Sequence, residues 1–160
     1  KTKNLNKLVM ASARERQPAE GPDKEAAMKI LLAELRHIGL DSEGRVVCTS
    51  LKQRLERVWL QGYVLCRDGD DVVDLDDGSA VMSLDVGDLV ASSPDIAGSA
   101  LQAGRYISCV CALEVHPEGI LDLRAESAFA LDAPGDAMVE PFWWLEVAES
   151  HRLRRLKLGN

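Results

Sequence analysis

The stretch VWLQGYVLCRDGDDVVDLDDGSAVMSLDV, residues 58–86, decides how this chain is to be read. Val58, Leu60, Gly62, Val64 and Cys66 alternate with Trp59, Gln61, Tyr63 and Leu65, the period-two pattern of a strand whose two faces differ. A glycine inside such a strand predicts a bend or bulge, as a closed barrel requires. Asp76-Asp77-Gly78 is a turn signal between residues 72–75 and 80–84, so a long strand is followed by a hairpin with an acidic turn.

Working outward, residues 91–104 are rich in Ser, Pro and Gly and read as a long connection or short helix. Ile107, Cys109, Cys111, Leu113 and Val115 then alternate as a fourth strand, and Leu121, Leu123, Ala125, Ser127 and Phe129 as a fifth, joined by the turn His116-Pro117-Glu118-Gly119. Five short strands with a long connection between the third and fourth match the Greek-key barrel called the OB-fold; a sandwich or SH3-like barrel shares much of the pattern. The expected class is therefore mainly β.

Helices are predicted on both sides of the barrel. Upstream, Asp23 offers an N-cap, Met28, Leu31, Leu32, Leu35 and Ile38 recur at helical spacing, and Gly39 supplies a stop, which predicts an amphipathic helix over about residues 23–38. Residues 40–57 mix extended and helical signals. Downstream of Asp132-Ala133-Pro134-Gly135, residues 138–157 read as a C-terminal helix. Residues 1–22 carry several basic residues and few large apolar ones and read as a flexible arm, leaving one domain over residues 23–157. The 160-residue length suits one self-sufficient core.

A hydrophobic fraction of 46% with 28% charged residues is that of a globular protein. The sequence has no apolar run long enough to span a membrane and no signal-peptide pattern, so an intracellular location is expected. Cys48, Cys66, Cys109 and Cys111 form no C-x-x-C pair and lie in or beside apolar stretches, as buried reduced thiols do. His37, His116 and His151 are scattered, and no cofactor or metal is expected.

Charge separates the functional classes. The carboxylates of residues 68–77 fail the calcium-loop spacing, because placing Gly78 at the sixth position puts Val73, Leu75 and Leu84 where oxygen ligands belong. Residues 58–150 hold three basic residues, Arg67, Arg105 and Arg124, against eighteen acidic ones. OB-folds that grip single strands combine a basic groove with stacking aromatics, and Tyr63 and Tyr106 would be the stacking residues if this were one. A field of that sign repels phosphate instead, so direct nucleic-acid binding is the alternative reading and not the leading one. No G-x-S-x-G elbow, P-loop, G-x-G-x-x-G or H-E-x-x-H is present, and the chain is not expected to be an enzyme.

The most unusual stretch is Pro141-Phe142-Trp143-Trp144-Leu145-Glu146-Val147-Ala148-Glu149-Ser150-His151-Arg152. On a helix, Trp143, Trp144, Leu145, Val147, Ala148 and His151 spread over roughly 200°, wider than the stripe of an ordinary surface helix. One face can pack on the barrel and the remainder wants a second partner. Two adjacent tryptophans favour an interface, where aromatic anchors are enriched.

These residues also carry a resemblance. Val58-Trp59-Leu60-Gln61-Gly62, Gly104-Arg105-Tyr106, Trp143 with Leu145-Glu146-Val147 and His151-Arg152, and Met28-Lys29-Ile30-Leu31 with Glu34-Leu35-Arg36 resemble the RecQ-mediated genome instability protein 2 family over about residues 26–152. The resemblance implies a nuclear, non-catalytic OB-fold subunit that does not itself bind DNA. Its implied partner is the C-terminal OB domain of the larger RMI subunit. Through it come a Bloom-type RecQ helicase and topoisomerase III alpha, which dissolve double Holliday junctions, and recruitment through the Fanconi anaemia M protein. Lys29, Trp143, Leu145, Val147 and His151 are the partner-binding residues so implied, and Trp144 joins them as the second tryptophan.

Overall fold

The computed structural model describes residues 26–69, 71–116, 118–119, 121–131 and 139–158; the expected arm at residues 1–22 and the turn at 132–135 lie outside these. In chain order the elements are β1 (Met28–Lys29), a 3-10 helix (Leu32–His37), β2 (Ile38–Leu40), β3 (Val46–Cys48), β4 (Gln53–Arg54), β5 (Arg57–Asp68), β6 (Val72–Asp76), β7 (Val81–Asp85), α1 (Gly87–Ser92), α2 (Asp95–Ser99), β8 (Tyr106–Val115), β9 (Leu121–Ala130) and α3 (Val139–Leu158).

β5 pairs antiparallel with both β6 and β8, β6 with β7, and β8 with β9, while β7 meets β9 in parallel at Asp85 and Arg124. The circuit β5-β6-β7-β9-β8 returns to β5 and closes a five-stranded barrel, the OB-fold that the strand spacing predicts. Val58, Leu60, Val64, Val73, Leu75, Leu84, Ile107 and Cys111 are fully buried inside it, each side chain contributing on the order of 1.5–3 kcal/mol of transfer free energy. α1 and α2 occupy the connection between β7 and β8, with Leu89 and Leu101 buried beneath them.

Two local features of β5 bend it around the barrel. A Cβ on Gly62 would stand 2.5 Å from the carbonyl oxygen of Asp76, so glycine allows the backbone of β6 to approach. Farther along, the register jumps between Val64 and Cys66, leaving Leu65 as the extra residue of a bulge. That extra residue reverses the alternation. Cys66, expected on the buried face with Val64, is exposed and donates to the Asp74 carboxylate over 3.1 Å. Cys48, Cys109 and Cys111 are buried, and no cysteine is in a disulfide.

The helix expected at about residues 23–38 is not formed over the described part of that range. Met28 and Lys29 lie extended beside Val58 and Trp59, and only residues 32–37 coil, as a 3-10 helix. The apolar residues there serve two periods at once. Met28 and Ile30 alternate into the core, Leu32 and Leu35 follow at a spacing of three, and the Glu34 carboxylate accepts the Leu31 N–H at 2.9 Å to start the turn. Docking on β5 outweighs local helix propensity. β2, β3 and β4 form a small separate sheet from the mixed region. Among the described residues, no helix is long and apolar enough to cross a membrane.

Candidate functional site: the C-terminal helix and its cradle

α3 starts near Glu140 and ends among Arg154, Arg155 and Lys157, so its charges oppose the helix dipole at both ends. Trp143, Val147 and His151, spaced four apart, are its buried residues and face the barrel. Trp143 packs on Trp59 with ring centroids 6.2 Å apart and planes inclined by 44°. Trp59 sits on the outer face of β5, fixed by its Nε1–H donating to Ser108 Oγ at 2.7 Å.

Lys29 lies between the two elements. Its ammonium is 4.6 Å from the Trp59 ring centroid and 5.6 Å from that of Trp143, and it donates to Glu146 at 2.5 Å. This cation is held by two π faces and one carboxylate, and it ties β1 and β5 to α3. One turn on, His151 Nε2 donates to the Lys29 carbonyl at 3.0 Å, and its Nδ1 stands 3.4 Å from Glu34. Lys29, Trp143, Val147 and His151 are therefore brought together, but by packing within this chain.

Asp77 is the residue that sequence reasoning misplaces. Read as part of a solvated acidic turn, it is only 2% exposed. One carboxylate oxygen accepts the Leu32 N–H at 2.7 Å; the other accepts from the Ser79 N–H at 2.9 Å, the Ser79 hydroxyl at 2.6 Å and the Ala80 N–H at 3.2 Å. Its carbonyl accepts Trp144 Nε1–H at 3.1 Å. The hairpin turn thus anchors both the N-terminal segment and α3. Beside it, Tyr106 stacks edge-on against Tyr63 at 4.8 Å, and burial, followed by the Glu140 carboxylate, pushes its hydroxyl well above the usual phenol range.

The other side of α3 has no cover among the described residues. Leu145 is 65% exposed, Leu156 58% and Phe142 54%, with Leu153 beside them; at 100° per residue these four fall within an arc of about 80°. Glu149 and Arg152 form a bidentate ion pair along the same face, both contacts 2.7 Å, and the guanidinium holds the carboxyl below its usual range. Half of the exposed large apolar side chains among the described residues lie on this one helix. Trp144 and Ala148, at the edge of the stripe, line a groove of about 560 Å³ with Leu31 and Glu34 opposite. The spacing Phe142, Leu145, Leu153, Leu156 is legible in the sequence once the barrel-facing stripe is known.

Three comparisons place this geometry. The family model of RecQ-mediated genome instability protein 2 matches residues 26–151. No curated protein is similar enough in sequence to match. Among solved structures, the chain is similar to one in the Stn1–Ten1 complex of S. pombe, with a TM-score of 0.64 and 15% identity over 84% of this chain and 98% of that one. It is also similar to a chain of a replication protein A heterotrimer bound to single-stranded DNA, with a TM-score of 0.59 and 10% identity over 81% of this chain and 98% of that one. At such identities these structures establish the OB-fold.

Proposed function

The chain belongs to the RecQ-mediated genome instability protein 2 family, and from that premise we propose that it is a non-catalytic adaptor whose α3 docks on the C-terminal OB domain of a larger RMI subunit. The observation that carries this is the uncovered apolar stripe Phe142, Leu145, Leu153 and Leu156 on a helix whose opposite face is already buried. A monomeric surface rarely leaves so much apolar side chain gathered on one element, whereas an interface does.

The six partner-binding residues then divide by role. Trp144 and Leu145 touch the partner, Trp144 with its indole N–H already committed to Asp77 and its ring edge open. Lys29, Trp143, Val147 and His151 hold the helix at the height and angle the partner meets. As part of the resulting complex, the subunit supports a RecQ helicase and topoisomerase III alpha in dissolving double Holliday junctions in the nucleus. It also contributes to a surface for the Fanconi anaemia M protein. The barrel, with three basic residues against eighteen acidic ones over residues 58–150, contributes no phosphate grip of its own.

Co-expression with the partner's C-terminal OB domain, followed by gel filtration with light scattering, tests the reading. The wild type elutes as a 1:1 complex. Leu145→Asp elutes as a free subunit with unchanged circular dichroism. A Leu145→Asp variant that still co-elutes, or a wild type that ignores the partner, refutes it.

A further inference from the structure

The barrel is closed between β7 and β9 by a single residue pair. β7 is paired along its whole length with β6, from Val72–Asp85 to Asp76–Val81, but on its other edge it meets β9 only where Asp85 faces Arg124. β9 is occupied on its far side by β8, with Leu121 opposite Val115. Residues 81–84 and the start of β9 therefore present two strand edges across a groove of about 1010 Å³. An open edge carries unpaired N–H and C=O groups, a template for one more strand.

We propose that this groove is a second docking site, independent of α3, that takes an extended basic peptide segment: its backbone adds to the free edge of β7 and its lysine or arginine side chains meet the acidic rim. The free edge and the cleft supply the site, and the charge selects the occupant. The half-buried Met82 and Leu121, which pack against the core, give an apolar floor, and Val81, 50% exposed, lies on the outer face with Asp85. Asp71, Asp85, Asp88, Glu114 and Asp122 line the rim with Arg124, whose guanidinium is 3.8 Å from Asp88. The His116 ring beside the rim hydrogen-bonds Asp122 at 2.6 Å, which leaves five carboxylates against these two basic groups. In an added strand, alternate side chains point to opposite faces, so residues at one parity reach the carboxylates on the outer face while those at the other rest on Met82 and Leu121 on the inner one. The same rim repels a phosphate backbone, which separates this site from the oligonucleotide grooves that OB-folds otherwise use.

The test uses the full chain and a short fluorescent peptide of alternating lysine and valine at low salt. Anisotropy reports affinity and amide chemical shifts report position. The proposal expects saturable binding, shifts on β7 and β9 and none on α3. The double charge reversal Glu114→Lys with Asp122→Lys, both at exposed positions, weakens it by about tenfold or more. A copy of the peptide N-methylated at alternate residues, unable to extend the sheet, does not bind. No binding by the parent peptide, indifference to the charge reversal, equal binding of the N-methylated copy, shifts centred on α3, or tighter binding of oligothymidylate in the same groove would each overturn it.

Discussion

Replacing Trp143 with alanine tests whether α3 is held by the barrel or merely rests on it. The indole is 1% exposed, and a buried tryptophan removes roughly 200 Å² from water. At about 25 cal/mol per Å² that is an upper bound of about 5 kcal/mol, in line with the roughly 3–5 kcal/mol typical of large aromatic deletions. The Lys29 cation–π contact goes with it, at about 0.5–1 kcal/mol. Against this stands a gain. Trp143 Nε1 is buried without a hydrogen-bond partner among the described residues, and removing it relieves a cost of about 1–3 kcal/mol. The net expectation is a loss near the lower end, about 3 kcal/mol, which for a chain of this size lowers the melting temperature by about 6–12 °C.

Guanidinium denaturation followed by circular dichroism measures the loss. Trp143→Phe is the control that isolates the orphan N–H, because it keeps an aromatic ring on Trp59 while deleting the donor; it is expected within about 1 kcal/mol of the wild type. If Trp143→Ala shifts the midpoint by less than the equivalent of about 1 kcal/mol, α3 is not anchored through its buried stripe and the division between inner and outer faces fails. If Trp143→Phe is as damaging as the alanine variant, the accounting of the unpartnered N–H is wrong.

Three other expectations follow from the geometry. Asp77→Ala leaves the donors of Leu32, Ser79 and Ala80 without their acceptor and is expected to destabilise by about 3 kcal/mol in urea unfolding, with Asp77→Asn milder. Gly62→Ala drives a methyl group against the Asp76 carbonyl and is expected to cost about 1–3 kcal/mol by the same assay, whereas Gly39→Ala, where nothing lies within 4 Å, changes little through contact. His116 is raised above the ordinary imidazole value first by its hydrogen bond to Asp122, at 2.6 Å. Its charged form is therefore favoured in the folded state, and the linked contribution is present in acid and lost as pH rises through the raised value. An NMR titration of the ring should show the shift, and Asp122→Asn should return it toward the ordinary value.

The five barrel strands were legible because each keeps a period of two over most of its length against a core that needs one face only. In β9, however, the extra residue Glu126 reverses the pattern, so that Ser127 and Phe129, read on the face of Leu123 and Ala125, are exposed and Ala128 is buried instead. Where that period is interrupted, the sequence misleads. Nothing in Val64-Leu65-Cys66 marks which residue will be extruded, so the bulge that turns Cys66 outward is invisible until β6 is seen to pair around it. The N-terminal segment fails for a different reason. Met28, Ile30, Leu32 and Leu35 satisfy both an extended and a helical template over so few residues, and the tie is broken by the edge of β5, which lies 30 residues farther on.

Asp77 shows the same limit at the site itself. Six aspartates fall within residues 68–77, and composition treats them alike. The hairpin turn separates them: Asp74 is turned outward toward Ser83 and Cys66, while Asp77 is turned under the N-terminal segment, where backbone donors of a distant strand connection need an acceptor. A carboxylate that satisfies donors from two segments and lends its carbonyl to Trp144 gives α3 a fixed seat on the barrel. That seat is what a docking helix requires. An anchored helix presents Leu145 and Phe142 without first losing its own conformational freedom on binding, so more of the burial free energy appears as affinity. On the proposed docking, Asp77→Asn is expected to weaken partner binding by loosening the seat of α3, although Asp77 itself is only 2% exposed. The Leu145→Asp variant loses the partner while its barrel remains as stable as before.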